Sequence, residues 1–176
     1  MLTNTEFLSN VPIFSDLDAE TLDKIAKSGV LQSYKKNSVV LSEEDAGSAL
    51  FVIAEGKVKI SRSSNDEKEV ILAILNESDF FGEMSLLDGM ARSATVTAVE
   101  DSKLFIIQRA EFLDLLKKFP DVSVALLTEL TKRLRSATMK IKALSLKDAE
   151  GKVATVLLQL ADDVGKIRQG VVEIDH

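Results

Sequence analysis

The chain has 176 residues, 45% of them hydrophobic, and a formal net charge of −6, enough for one domain with a sizeable core or a domain with an appendage. It has no cysteine, and its one histidine, His176, is the last residue, which excludes disulfides, iron–sulfur clusters and cysteine catalysis and leaves no internal histidine for a metal or haem site. No apolar run approaches the roughly 20 residues that span a bilayer and no basic-then-apolar leader opens the chain, so no membrane is expected and a cytoplasmic location is the default.

The charge is unevenly placed. Met1 to Phe119 carries 13 Lys and Arg against 20 Asp and Glu, whereas Pro120 to Lys147 carries 6 against 2. An acidic globule is a poor surface for nucleic acid, because phosphate binding needs clustered cations.

The first predicted element is a short helix after Phe14. Asp18 serves as N-cap, Leu17 and Leu22 form a hydrophobic staple, Leu22, Ile25 and Ala26 give one apolar face, and Gly29 stops it. From Val30 to Ile107 the texture is short β-prone runs, with strands expected at Ser38–Leu41, Ala49–Ala54, Lys57–Ser61, Val70–Leu75, Ala94–Val99 and Lys103–Ile107. Glu55-Gly56 reads as a tight hairpin turn and Ser63-Ser64-Asn65-Asp66 separates the next pair. Lys57-Val58-Lys59-Ile60 alternates as a strand with one wet face should. Val70–Leu75 does not alternate, so it is expected to be buried on both faces or to line something apolar. Strands at this spacing argue for a small antiparallel barrel or jelly roll. The fold class is therefore α+β, a jelly roll with flanking helices and a long C-terminal helix.

After Gln108 the chain turns helical. Phe112, Leu115, Leu116 and Phe119 share one helical face, and Pro120 ends that helix or opens the next. Leu127, Leu130, Leu134, Ala137, Ile141 and Leu144 then repeat at spacings of 3 and 4. Such a seam suits a two-stranded coiled coil, and a homodimer through residues 120–147 is expected over packing on the chain's own barrel. A further helix is expected from Ala149 to about Val164, capped by Asp148, and a strand at Val171–Ile174.

Phe80 to Val96 lies near the changeover from strands to helices. It sets Glu83 and Arg92 nine positions apart around a short apolar turn, with small residues beside both. We read it as a site for a small anion, the plainer alternative being a Glu83–Arg92 ion pair without ligand. Glu83 alone is no acid/base pair and no nucleophile–base pair appears, so no enzymatic activity is expected.

Gly82-Glu83-Met84-Ser85-Leu86-Leu87 followed by Arg92-Ser93-Ala94-Thr95-Val96 resembles the phosphate-binding cassette of cyclic-nucleotide-binding domains. The order of parts, from about Phe14 to Asp163, resembles the Crp/Fnr family of transcription regulators. The resemblance implies a sensor domain over 1–119, a dimerisation helix over 120–147 and, over 148–176, the start of a winged helix-turn-helix-like domain that is otherwise missing, so that DNA is reached only through that domain. Arg92 can pair bidentately with a cyclic phosphodiester, which Lys does less well, and Ser93 adds a hydroxyl and an N–H. A short helix over Glu83–Leu87 would aim free N–H groups at the same anion, and Gly82 permits close approach. The resemblance assigns Glu83 to the ribose 2′-hydroxyl, places Met84, Ser85 and Ala94 in the same cassette, and puts the base among Ile60, Leu72, Ala73, Arg133, Leu134 and Thr138. Ala137-Thr138 offers one hydroxyl where cyclic AMP regulators have two. Cyclic AMP is the effector expected first, with cyclic GMP or a cyclic dinucleotide open. A regulatory module of a non-transcriptional protein, or a sensor that has changed or lost its ligand, are the alternatives. Asn37, Glu44 and Ser78 stand where the family usually has glycine, and their loops are expected to be rearranged.

Overall fold

The computed structural model describes residues 4–63, 69–146, 151, 166–168 and 171–173. The chain divides into two compact units, Met1–Leu127 and Thr128–His176.

The first unit opens with α1 (Asn4–Leu8) and α2 (Ala19–Ser28). Asp18 caps α2, accepting a 2.7 Å hydrogen bond from the Thr21 N–H, and Leu22 and Ile25 are buried below it. Gly29 follows as C-cap, in extended backbone rather than the left-handed turn a terminal glycine commonly takes. Eight strands follow: β1 (Val30–Tyr34), β2 (Val39–Leu41), β3 (Ala49–Glu55), β4 (Val58–Ser63), β5 (Glu69–Leu75), β6 (Phe80–Phe81), β7 (Thr95–Ala98) and β8 (Ser102–Gln108), with α3 (Glu83–Asp88) between β6 and β7. They form two antiparallel four-stranded sheets, ordered β1-β8-β3-β6 and β2-β7-β4-β5.

The inner faces meet in one apolar cluster. Ala49, Phe51, Ile53, Phe81 and Leu104 come from the first sheet, Val58 and Val96 from the second. β3 is buried from Ala49 to Ile53 without alternation. Its odd-numbered residues join this cluster, and the first sheet's other face meets the helices, where Phe7 of α1 packs edge-on against Phe105 of β8 at 5.5 Å. This is the expected jelly roll with flanking helices.

Two local expectations are corrected. Glu55-Gly56 is not a hairpin turn: β3 pairs with β6 and β8, β4 with β5 and β7, so the turn carries the chain from one sheet to the other. β5 is not buried on both faces; it is the outer strand of its sheet, and Val70, Ile71 and Leu72 are exposed. β1, β6 and α1 were not expected from the sequence. β4 and β5 do pair as expected, though the turn at 64–66 lies outside the described residues.

The loops at Asn37, Glu44 and Ser78 share one backbone arrangement. All three residues hold positive φ, 67°, 72° and 70°, and all three use one hydrogen-bond pattern. Asn37 N–H donates to the Ala98 carbonyl and Ala98 N–H returns to the Ser38 carbonyl; Glu44 and Asp45 do the same with Arg92, and Ser78 and Asp79 with Ile53. Each is the third residue of a turn closed by an i to i+3 bond, as a type II turn requires. The pattern keeps what glycine would have made easy.

After β8 come α4 (Arg109–Lys118) and the 27-residue α5 (Pro120–Leu146), which Pro120 opens. Leu127, Leu134 and Ile141, seven residues apart on α5, are each more than 60% exposed. In the second unit β9 (Lys166–Arg168) pairs with β10 (Val171–Glu173); β9 was not expected. The helix expected over 149–164 lies outside the described residues except Gly151, which is helical. Among the described residues no helix is long and apolar enough to cross a membrane.

Candidate functional site

The site is built from β3, β6, α3 and the turn at Ser42–Asp45. Phe51 and Phe81, opposite one another in the β3–β6 pair, stack at 5.2 Å with planes 8° apart. Gly82 follows at φ 86° and is the N-cap of α3, the short helix expected over Glu83–Leu87. The chain leaves α3 through Gly89 and returns beside Ala46, which bridges to Ala91. Arg92 then arrives with its backbone gripped on both sides: Glu44 N–H donates to its carbonyl at 3.0 Å, and its own N–H donates to Asp45 at 2.8 Å.

The Arg92 side chain is buried, 5% exposed. Nη1 donates to the Gly82 carbonyl at 2.7 Å and to Ser85 Oγ at 2.9 Å, and Nη2 donates to the Ala49 carbonyl at 2.8 Å. The guanidinium carbon lies 5.8 Å from the Phe51 ring centre. Three of five N–H groups are thus used, all on neutral acceptors, and Nε is buried with no partner. Burial pushes the guanidinium pKa down from its ordinary value, and the carboxylates of Glu83, then Asp45, oppose the shift. Glu83 is itself buried, 4% exposed. An Arg stays protonated at any physiological pH, so the cradle holds a cation in a low-dielectric setting.

Two glycines make room for it. A Cβ on Gly82 would stand 2.6 Å from Arg92 Nη1 and 3.1 Å from the Ala49 carbonyl, at a φ that side chains resist. A Cβ on Gly47 would collide with Ser85 Oγ.

Gly82, Ser85 and Arg92 are therefore joined directly, and Glu83 acts on Arg92 through its charge. Met84 and Ser93 are both exposed, the Ser93 hydroxyl 3.7 Å from the Met84 sulfur, and Ala94 is buried. Ile60 on β4 and Ala73 on β5 face each other in register, and Leu72 sits where that register shifts. Arg133, Leu134 and Thr138 belong to the second unit, where Thr138 Oγ1 donates to the Leu134 carbonyl at 2.9 Å. Ala49, Gly47 and the Glu44–Asp45 turn were missed from the sequence. Only the turn had left a signal, in the residue standing for glycine. A shallow open depression nearby has Gly47, Ser85 and Arg109 among its walls but not Arg92.

The β6–α3–β7 connection of the jelly roll thus cradles a buried arginine. Residues 31–119 match the family described as the cyclic nucleotide-binding domain. Over 160 residues the chain is 36% identical to the cyclic AMP receptor protein of Thermus thermophilus, covering 91% of this chain and 71% of that one. Over 171 residues it is 30% identical to the CRP-like cAMP-activated global transcriptional regulator of Mycobacterium tuberculosis, covering 97% and 76%. The crystal structure of the Thermus thermophilus catabolite activator protein superposes with a TM-score of 0.69 at 29% identity, over 93% of each chain. The chain belongs to the cyclic nucleotide-binding domain family, among the Crp-type regulators.

Proposed function

We propose that the chain is the ligand-sensing and dimerisation region of a Crp-type transcription regulator, with cyclic AMP as effector. The observation that carries this reading is the unpartnered, buried Nε–H of Arg92 in a cradle of neutral acceptors. Such a group costs about 1–3 kcal/mol until something accepts from it. A cyclic phosphodiester brings one delocalised charge on two oxygens, which an arginine fork fits better than an ammonium does.

Ser93 would add its hydroxyl and N–H to the phosphate, and Glu83 would accept from the ribose 2′-hydroxyl. Gly82, Met84, Ser85 and Ala94 complete that wall, while Ile60, Leu72, Ala73, Arg133, Leu134 and Thr138 would hold the base. The names of the two relatives support cyclic AMP over cyclic GMP or a cyclic dinucleotide.

Residues 1–119 act as sensor and 120–147 as dimerisation helix, the latter supported by the exposed heptad residues Leu127, Leu134 and Ile141. DNA would be reached through a C-terminal domain that begins at about residue 148, its pose shifted when ligand binds the two states unequally. Calorimetric titration with cyclic AMP and with its 2′-deoxy analogue tests the ribose assignment. Wild type should prefer the ribonucleotide and Glu83→Gln should narrow the preference; an equal preference in both proteins sets that role aside.

A further inference from the structure

The turn that grips Arg92 is loosely closed by its own bonds. Asp45 N–H reaches the Ser42 carbonyl at 3.3 Å and Ser42 N–H reaches Asp45 Oδ2 at 3.3 Å. The matching closures at Lys35–Ser38 and Asn76–Asp79 measure 3.0 and 3.1 Å. Yet this turn also holds Glu44 at a φ of 72°, a conformation that a non-glycine residue keeps only when its surroundings enforce it.

Glu43 ties this turn to the second sheet. Its Oε1 accepts from Arg62 Nε at 2.7 Å and lies 2.5 Å from Arg62 Nη2, while its N–H donates to Thr95 Oγ1 on β7 at 3.1 Å. Arg62 stands on β4 opposite Val70 of β5. A continuous path therefore runs from the β4–β5 hairpin through Arg62 and Glu43 to the two backbone bonds that fix Arg92.

We propose that the Glu43–Arg62 ion pair is a latch that holds the strained Ser42–Asp45 turn in place and thereby positions Arg92 for its anionic ligand. Both are positioning residues, acting on the ligand only through Arg92. The inference rests on Arg92 being the anion-binding group. The pair is partly exposed, with Arg62 at 59% and Glu43 at 20%, so its effect is that of a surface ion pair, a change of up to about fivefold rather than an all-or-none loss.

The test has two readouts on Glu43→Gln, Arg62→Gln and the exchanged pair Glu43→Arg/Arg62→Glu. Without ligand, amide hydrogen exchange at Glu44 and Arg92 should quicken in both single variants and return toward wild type in the exchanged pair. Unchanged protection in the singles overturns the latch, whether or not a nucleotide binds. With cyclic AMP, both singles should weaken binding by a similar factor. If Glu43→Gln instead tightens it while Arg62→Gln weakens it, the two charges act only through their field on the anion, and the latch is again overturned. A wild type that takes no cyclic AMP, cyclic GMP or cyclic dinucleotide counts against the ligand assignment alone, and the exchange experiment still decides the latch.

Discussion

Arg92 and Gly82 are fitted to each other at one atom. Nη1 of Arg92 donates to the Gly82 carbonyl at 2.7 Å and stands 2.6 Å from where a Gly82 Cβ would lie. Alanine at position 82 would therefore displace the guanidinium as well as strain a backbone at φ 86°. Gly82→Ala should cost about 1–2 kcal/mol of stability and remove cyclic-nucleotide binding, read by thermal unfolding with and without ligand. A variant that keeps wild-type affinity would show that the guanidinium's pose is irrelevant to the ligand.

Arg92→Lys separates charge from shape. An ammonium has no planar fork, so it cannot reproduce the bonds to Gly82, Ser85 and Ala49 while offering a two-point contact to phosphate. Titration should show binding weakened at least about tenfold, the order of one lost charge-assisted hydrogen bond. Equal affinity would mean that positive charge alone is enough.

The positive-φ residues should respond to glycine in a fixed order. Relieving the left-handed conformation returns about 1 kcal/mol, and the freer unfolded chain takes back about 0.4–1 kcal/mol. Glu44→Gly and Ser78→Gly are thus expected to be neutral to mildly stabilising. Asn37→Gly should give the least, because Asn tolerates this region best. Glu44→Val should destabilise clearly, since a β-branched residue resists positive φ. Melting temperatures check the order, and a Glu44→Val protein as stable as wild type would deny the strain.

Acid should loosen the start of α2. The hydrogen bonds from Thr21 hold the Asp18 carboxyl below its ordinary value. A carboxylate lowered in the folded state adds stability that is present above its unfolded pKa and is lost as pH falls through the folded one. Asp18→Ala should therefore lower the melting temperature at pH 7 and make little difference at a pH where the folded-state carboxyl is protonated. A deficit of the same size at both pH values would assign the effect to something other than the cap.

Much of this fold was legible because burial leaves a period. Lys57–Ile60 alternates as a strand with one wet face, and Phe112 begins a helical stripe that packs inward. The pattern failed where partners, not propensity, decide. β6 is two residues long and exists through its pairing with β3, and β1, mostly exposed, is an outer strand with little periodic signal. The apolar run of β5 reads as a buried strand, although what lies beside it in the chain leaves it open. At the site, Arg92, Gly82 and Ser85 announce themselves as a motif. The Ala49 carbonyl that completes the cradle has no side-chain signature and comes from 43 residues upstream.

Leu134 is 68% exposed in the middle of the heptad run on α5. Leu134→Glu would place like charges at a shared seam, so sedimentation should show wild-type dimers and a variant shifted to monomer. A variant that sediments as wild type would move the interface elsewhere.

The most direct measurement is a calorimetric titration of cyclic AMP into wild type and into Arg92→Ala, with circular dichroism showing that both are folded. Saturable one-site binding by wild type and none by Arg92→Ala is the expected result. Equal binding by both proteins, or none by a folded wild type, would contradict the assignment of Arg92 as the anchor of a cyclic nucleotide.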